Sequence, residues 1–474
     1  MDRSQQIYIN GRWTAARGDT AFEVIDSSTE EVISRVKAAS RADAADAVRA
    51  ARAAFDAWAA RPLTERCDFL ERIAAGLEAR RDELADLIAR EVGMPRKLTP
   101  RLQVAGAILN WRRTAEEARR LSLEETVGNS TVVREAVGVV VAITPWNFPL
   151  HQITLKVAPA LAAGCTVVLK PSEVAPLNAF ALAEVIDAAG LPAGVFNLVS
   201  GSGPDVGEAL VSDANVDAVS FTGSTRAGRR ISEVAASTIK RVSLELGGKS
   251  ASVVLDDADL PAAVKGTISG AFLNSGQACN AQTRLLVPAA RYDEAKAVAR
   301  QTVEGFTVGP AFAETSKLGP LVSAGQRERV QGFIRTGVEQ GAELIAGGTE
   351  APSGLDRGYF VRPTVLGKVD PRSTVAQEEI FGPVVSIITY RDEDDAVRIA
   401  NDTIYGLAAG VWSNDEKRAL RVARRLRAGQ VDINGAPFNP AAPFGGFKQS
   451  GRGREAGRFG LDEFLEYKSI QRKA

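Results

Sequence analysis

Two stretches in the middle of the chain carry reactive groups. One reads Glu245-Leu-Gly-Gly-Lys249 and offers a carboxylate followed by two glycines suited to a tight turn. The other reads Gly276-Gln-Ala-Cys-Asn280 and offers a thiol beyond a helix-like segment, 260–275. A thiol attacks a carbonyl carbon, most readily when its pKa is lowered or a base is near, and forms a covalent ester of sulfur. A carboxylate can then take a proton from the water that breaks that ester. A third stretch, Pro145-Trp-Asn-Phe-Pro149, pins Asn147 between two prolines. Its amide N–H could hold the oxyanion of a tetrahedral intermediate, with the Cys279 backbone N–H as the second donor. Each residue alone has a plainer reading. Cys279 could be a buried loop thiol, Glu245 a helix-terminal or surface charge, and Asn147 a cap for the next helix.

The elements that must position these groups follow from pattern. At 474 residues the chain needs two or more domains. Residues 1–20 alternate apolar and polar around Asn10-Gly11, a hairpin signal. Ser40-Arg-Ala-Asp43 is a capping box, and Ala44, Val48, Ala51, Phe55 and Trp58 keep helical period after it. Helices are expected over 64–92, which puts Cys67 in a core stripe, and over 99–121. Thr131 to Val133 reads as a β-prone hairpin. From Gly138 short apolar runs at 139–143, 166–169, 195–199, 218–221 and 241–245 alternate with helices. That rhythm means a doubly wound parallel sheet, whose ligands bind at the C-terminal strand ends. A second α/β unit follows Ser250, with strands at 251–255, 283–287, 384–389, 409–412 and 430–433.

Composition narrows the function. Lys+Arg and Asp+Glu number 58 each, so the basic excess that nucleic acid or a membrane surface needs is missing. No apolar run approaches the ~20 residues of a membrane span, and Met1 to Gln6 has no signal core, so a cytoplasmic location is expected. Three scattered cysteines make no disulfide framework, and the single histidine, His151, rules against a His-based metal site. Cys165, in an apolar run, is expected to be buried and inert.

Further loops sit at strand ends. Lys170-Pro-Ser-Glu173 suits ribose hydroxyls, although alone it reads as a solvated turn. Gly201-Ser-Gly-Pro-Asp-Val-Gly207 misses the dinucleotide fingerprint by one residue. Phe221-Thr-Gly-Ser-Thr-Arg-Ala-Gly228 leaves a strand and opens a helix, so Ser224 and the helix N–H groups could receive a pyrophosphate. With Phe272-Leu-Asn-Ser-Gly-Gln-Ala-Cys279, Glu378-Glu-Ile-Phe-Gly-Pro383 and Pro443-Phe-Gly-Gly-Phe-Lys-Gln-Ser-Gly451, these motifs resemble the NAD(P)-dependent aldehyde dehydrogenase superfamily from about Ile9 to Ile470.

The resemblance implies an α/β fold with three parts. They are a doubly wound parallel-sheet NAD-binding domain (1–117 and 137–247), a second α/β catalytic domain (248–447) and a small β oligomerisation excursion (118–136 with 455–474). It implies NAD-dependent oxidation of an aldehyde to a carboxylic acid. Cys279 would carry the thiohemiacetal and thioester, Asn147 would hold the oxyanion, and Glu245 would activate water. On the cofactor side, Lys170 and Glu173, with Ser172, would grip the adenosine ribose; Glu173 should repel a 2′-phosphate and favour NAD over NADP. Phe221, Thr222, Gly223 and Ser224 would receive the pyrophosphate, with Gly203 and Gly207 nearby. Ile143, Thr144, Pro145, Trp146, Leu246 and Gly247 would line the site, Glu379 would hold the nicotinamide ribose, and Phe381 would pack on that end. No metal is implied.

A homodimer or homotetramer is implied, with a small-molecule aldehyde as substrate. Expected pocket walls at 97–112, 148–156, 273–281 and 434–441 offer Leu150, Trp111, Asn274, Phe438 and Asn439, with Arg101 and Arg113 unoriented. They favour medium aliphatic or aromatic aldehydes over phosphorylated ones. Two alternatives are a CoA-acylating semialdehyde dehydrogenase, against which Glu245 speaks, and a silent scaffold, against which the intact trio speaks.

Overall fold

A computed structural model describes residues 3–473. Its largest sheet has eight strands. The central five, Arg241–Glu245, Ala218–Thr222, Val139–Ile143, Thr166–Lys170 and Phe196–Leu198, run parallel in that spatial order. The chain starts in the middle at Val139–Ile143, winds outward one way, then returns and winds the other way. The strand order therefore reverses beside Val139–Ile143, and the loops at 144–148 and 223–225 flank the crevice where such sheets bind ligands. The Asn10-Gly11 hairpin extends one edge antiparallel, with φ of 53° and 70° at its two turn residues.

Burial on both faces explains the unbroken apolar runs. Val140, Ala142, Val167 and Leu169 pack into one core with Leu70, Leu77, Trp111 and Ile153. Val139, Val141 and Val168 face the other way, against Ala44, Val48 and Ala51 of helix Arg41–Ala59. That helix begins with the expected capping box at Ser40 and Asp43.

A seven-stranded sheet forms the second α/β unit. It adds Glu343–Ala346 and Thr364–Gly367, short strands that the sequence pattern did not mark, to the five expected ones. Leu465–Gln471, Ser130–Ala136 and Glu124–Val127 form a three-stranded antiparallel sheet, so the C-terminal segment pairs with the expected hairpin. Ala21–Asp26 and Glu31–Lys37 make a further ribbon.

Three helix expectations need correction. The segment 64–92 is two helices, Leu63–Ala79 and Arg81–Val92. Arg80 leaves helical geometry, and its guanidinium binds Glu83 at 2.6 Å and Glu184 at 3.0 Å. The segment 99–121 opens with a π-turn, Pro100–Ala105, before Gly106–Arg119. The helix expected over 260–275 stops at Ala271, because Asn274, Ser275 and Gly276 turn left-handed with φ of 53°, 55° and 75°. Cys67 and Cys165 are buried free thiols.

Candidate active site

The left-handed run carries the chain from helix Leu260–Ala271 into the Cys279 loop. Gly276 allows it: a Cβ there would sit 2.1 Å from the Gly382 carbonyl, and φ is positive. Gln277, fully buried, holds the loop. Its Oε1 accepts from the Val322 N–H at 2.9 Å and its Nε2 donates to the Asn274 carbonyl at 3.1 Å. Its own carbonyl accepts from Asn147 Nδ2 at 2.9 Å. The Asn147 carbonyl in turn accepts from Gln103 Nε2 and Asn274 Nδ2, both at 3.0 Å. Asn147 is therefore not a helix cap. The N-cap of Pro149–Ala163 is Phe148, without a side-chain bond, and the Asn147 amide donates one N–H to the loop that bears Cys279.

Glu245 ends its strand, buried, with neither carboxylate oxygen hydrogen-bonded. Burial, then the nearby Glu455 carboxylate, lifts its pKa well above the usual carboxylate range. Gly445 makes room for it, since a Cβ there would lie 2.7 Å from Glu245 Oε1. Burial also raises the Cys279 thiol, followed by the charges of Glu379, Glu245 and Glu455. The sulfur thus rests as a neutral thiol beside a carboxyl group whose proton affinity is also raised.

The glycines after Glu245 serve a different purpose from the expected turn. Neither Gly247 nor Gly248 has positive φ. A Cβ on Gly247 would meet Glu379 Oε2 at 2.4 Å, and one on Gly248 would meet the Cys279 carbonyl at 2.4 Å. They permit close approach. Gly248 N–H donates to Glu379 Oε1 at 2.9 Å, and burial pushes Glu379 up to about 7. Phe381, held at φ 61° while Gln326 donates to its carbonyl at 2.8 Å, meets the Trp146 ring edge-on at 5.3 Å.

These groups line a cleft of about 680 Å³ with Pro145, Thr222, Gly223, Ser224, Leu246 and Cys279. Ser224 caps helix Thr225–Ala235, accepting from the Ala227 N–H at 3.2 Å. Phe221 is buried under Gly223, whose Cβ would touch its ring at 2.5 Å.

The remaining cofactor candidates are neighbours of the cleft and not part of its wall. Thr144 N–H donates to the Lys170 carbonyl at 3.1 Å, so 143–144 and Lys170 share the strand ends. Lys170 is buried, with Nζ donating to the Gly201 carbonyl at 2.6 Å and 3.5 Å from Glu173. Ser172 Oγ accepts from the Val174 N–H at 3.2 Å. Gly207 lies against the Lys170 stem, but Gly203–Gly207 is a π-turn rather than a phosphate loop.

A second cavity, about 490 Å³, reaches Cys279 from the other side. Leu102, Phe148, Leu155, Trp412, Phe438 and Phe444 give it apolar walls. The expected wall residues divide. Phe438 and Arg101 line it, whereas Leu150 and Trp111 are core residues, Asn274 is loop scaffold, and Asn439 and Arg113 lie off its wall. His151 lines it with Asn110 Nδ2 3.4 Å away, and burial depresses its pKa to about 4.

Pattern reading missed a buried cluster behind Glu245. Lys156 Nζ contacts the Glu455 carboxylate and donates to Thr222 Oγ1 at 2.6 Å; Thr222 Oγ1 also bonds Gln152 Oε1 at 3.3 Å. The signal was there: Lys156 is the one formally charged side chain in helix Pro149–Ala163, which is otherwise mostly apolar and buried. No metal-binding group of acidic, His and Cys side chains occurs among the described residues. No described helix is long and apolar enough to cross a membrane.

The model of the aldehyde dehydrogenase family matches residues 13–470. The chain is 48% identical over 467 residues to 3-succinoylsemialdehyde-pyridine dehydrogenase of a Pseudomonas species, covering 98% of each. It superposes with a TM-score of 0.98 on a cysteine-to-alanine variant of aldehyde dehydrogenase C from Pseudomonas syringae, complexed with NAD+ and octanal, at 45% identity over 99% of this chain and 97% of that one. An NAD+ complex of Bacillus cereus aldehyde dehydrogenase gives 0.95 at 40% identity, over 98% and 96% of the two chains. The chain belongs to the aldehyde dehydrogenase family.

Proposed function

We propose that this enzyme oxidises an aldehyde to a carboxylic acid with NAD, through a thioester on Cys279 that water cleaves. The observation that carries this reading is that Cys279 is the one nucleophile common to the two cavities. The polar cleft suits a dinucleotide and the apolar tunnel suits an aldehyde.

The cleft residues fit NAD. Gly223 and Gly247 line the cleft without side chains, and Thr144 Oγ1 at the strand end is buried without a partner. Ser224 opens a helix whose N-terminal N–H groups favour phosphate. Glu379 offers a carboxylate for ribose hydroxyls, and beside the cleft Lys170 and Glu173 offer a cation and a second carboxylate. The Glu173 carboxylate disfavours a 2′-phosphate, which supports NAD over NADP. NAD, when bound, accepts the hydride released from the substrate carbon.

The protein's own groups perform the rest. Cys279 Sγ adds to the aldehyde carbon while the thiol proton passes by way of solvent to the carbonyl oxygen, giving a thiohemiacetal whose O–H proton is released to solvent when the hydride departs. One N–H of the Asn147 amide is held by the Gln277 carbonyl, which orients the other toward an oxyanion role beside the Cys279 backbone N–H. After oxidation the thioester carbonyl is attacked by water. Glu245, with both oxygens free and a raised proton affinity, takes the water proton. The C–S bond then breaks as the proton held by Glu245 passes to the leaving sulfur, releasing the carboxylic acid and restoring the thiol and the carboxylate.

Residues 1–117 and 137–247 hold NAD and 248–447 supply the thiol loop. The segments 118–136 and 455–474 pair subunits into a dimer or tetramer; Val127, Tyr467 and Ile470 are exposed on their shared sheet. The test is to follow NADH and identify the product from octanal. One carboxylic acid per NADH is expected. No NADH across an aldehyde panel, or an acyl thioester of added CoA as product, overturns the reading.

A further inference from the structure

The tunnel contains a charge that the reaction does not use. Arg101 sits on the π-turn Pro100–Ala105, a geometry that recurs at functional sites, and lines the same cavity as Cys279. Its guanidinium has no ion-pair or hydrogen-bond partner among the described residues, whereas most arginines of this chain are paired.

The other titratable groups on that wall leave it unmatched. They are His151, Cys279 and Asp432. Burial keeps the first two neutral near pH 7. Asp432 is covered by neutral amides, accepting from Gln430 Nε2 at 2.8 Å and Gln282 Nε2 at 3.1 Å. The cavity that Arg101 and the thiol share also has apolar wall residues, among them Leu102, Leu109, Leu155, Phe148 and Phe444.

We propose that Arg101 is a specificity residue that binds a carboxylate at the far end of the substrate, so that the preferred class is the ω-carboxy aldehydes, with the methylene chain in the apolar tunnel. The proposal rests on the aldehyde-oxidation reading above. An exposed guanidinium is hydrated when alone, and a carboxylate pairs with it through two parallel hydrogen bonds that a methyl end cannot form.

The test compares kcat/KM for 8-oxooctanoate, octanal and 8-aminooctanal in the full-length enzyme and in R101Q, R101K and R101E. The parent is expected to prefer 8-oxooctanoate over octanal by about tenfold, with the difference in KM. R101Q should bring the ratio to about one, R101K should restore part of it, and R101E should invert it. The parent's preference should also shrink between about 0.02 and 0.5 M salt. A ratio in R101Q equal to the parent's, or a parent preference for 8-aminooctanal, overturns the proposal. Failure of the parent to oxidise any of the three, with NAD bound, sinks the aldehyde reading itself and this assignment with it.

Discussion

The cleft on one side of Cys279 is walled by Glu245, Glu379, Ser224 and three arginines, while the tunnel on the other is walled mainly by leucine and aromatic side chains. Both end at one sulfur. In the proposed reaction, the contrast lets a single thiol serve two steps with opposite needs. Under the proposed function, water is handled where carboxylates and amides converge, and the substrate's methylene chain lies along apolar walls that also carry Arg101. The bonds that tie Asn147 to Gln277 keep the two sides in register.

Removing the shared atom should have the largest effect. Cys279→Ala is expected to lower turnover by at least about 10⁴-fold while NAD and aldehyde still bind, since both cavities remain. NADH assays with equilibrium binding of each ligand check this. Retained turnover would mean that the cavities do not meet functionally at the thiol.

Glu245→Gln touches only the cleft side. It should slow hydrolysis by about 10²–10⁴-fold and leave the first burst of NADH intact, with an acyl adduct on Cys279 visible by mass spectrometry. If Glu245 is the base, hydrolysis in the parent needs it deprotonated. Because its pKa is raised, the rate should climb with pH through a window above the ordinary carboxylate range. A flat profile there would remove Glu245 as the base.

Asn147→Ala should cost about 10²–10³-fold in kcat through loss of an oxyanion donor. Here NADH formation itself slows, so the missing burst separates it from Glu245→Gln. The smallest effect belongs to the tunnel. The His151 imidazole is depressed from 6.5 to about 4, so below 6.5 the unfolded chain takes up a proton that the folded chain refuses. Stability should therefore fall as pH drops through that window, and His151→Gln should flatten the slope by about 1 kcal/mol per pH unit. Urea unfolding across the window measures it; equal slopes would mean that the ring is solvated.

Much of the candidate site was readable one residue at a time. Cys279, Glu245 and Asn147 stand in short motifs whose glycines and prolines mark loops, and the strand rhythm said at which sheet end those loops lie. The reasons behind the motifs were less legible. Gly247 and Gly248 suggested a turn, yet they serve to let Glu379 and the Cys279 carbonyl come close. Helix boundaries slipped where side-chain pairing, as at Arg80, or a left-handed run, as at Asn274, ended a periodic stretch early.

What the sequence determined by itself was local: alternation that buries both faces of the parallel strands, a capping box at Ser40, an Asn-Gly turn, and three side chains with the chemistry of acyl transfer. What tertiary structure alone decided was adjacency. Lys156 meets Glu455 across 299 residues, and Gln277 meets Asn147 across 130. Arg101 reaches the tunnel while Arg113 does not. Such contacts depend on how separate elements dock, and docking is governed by the packing of whole faces, which no short window of residues encodes.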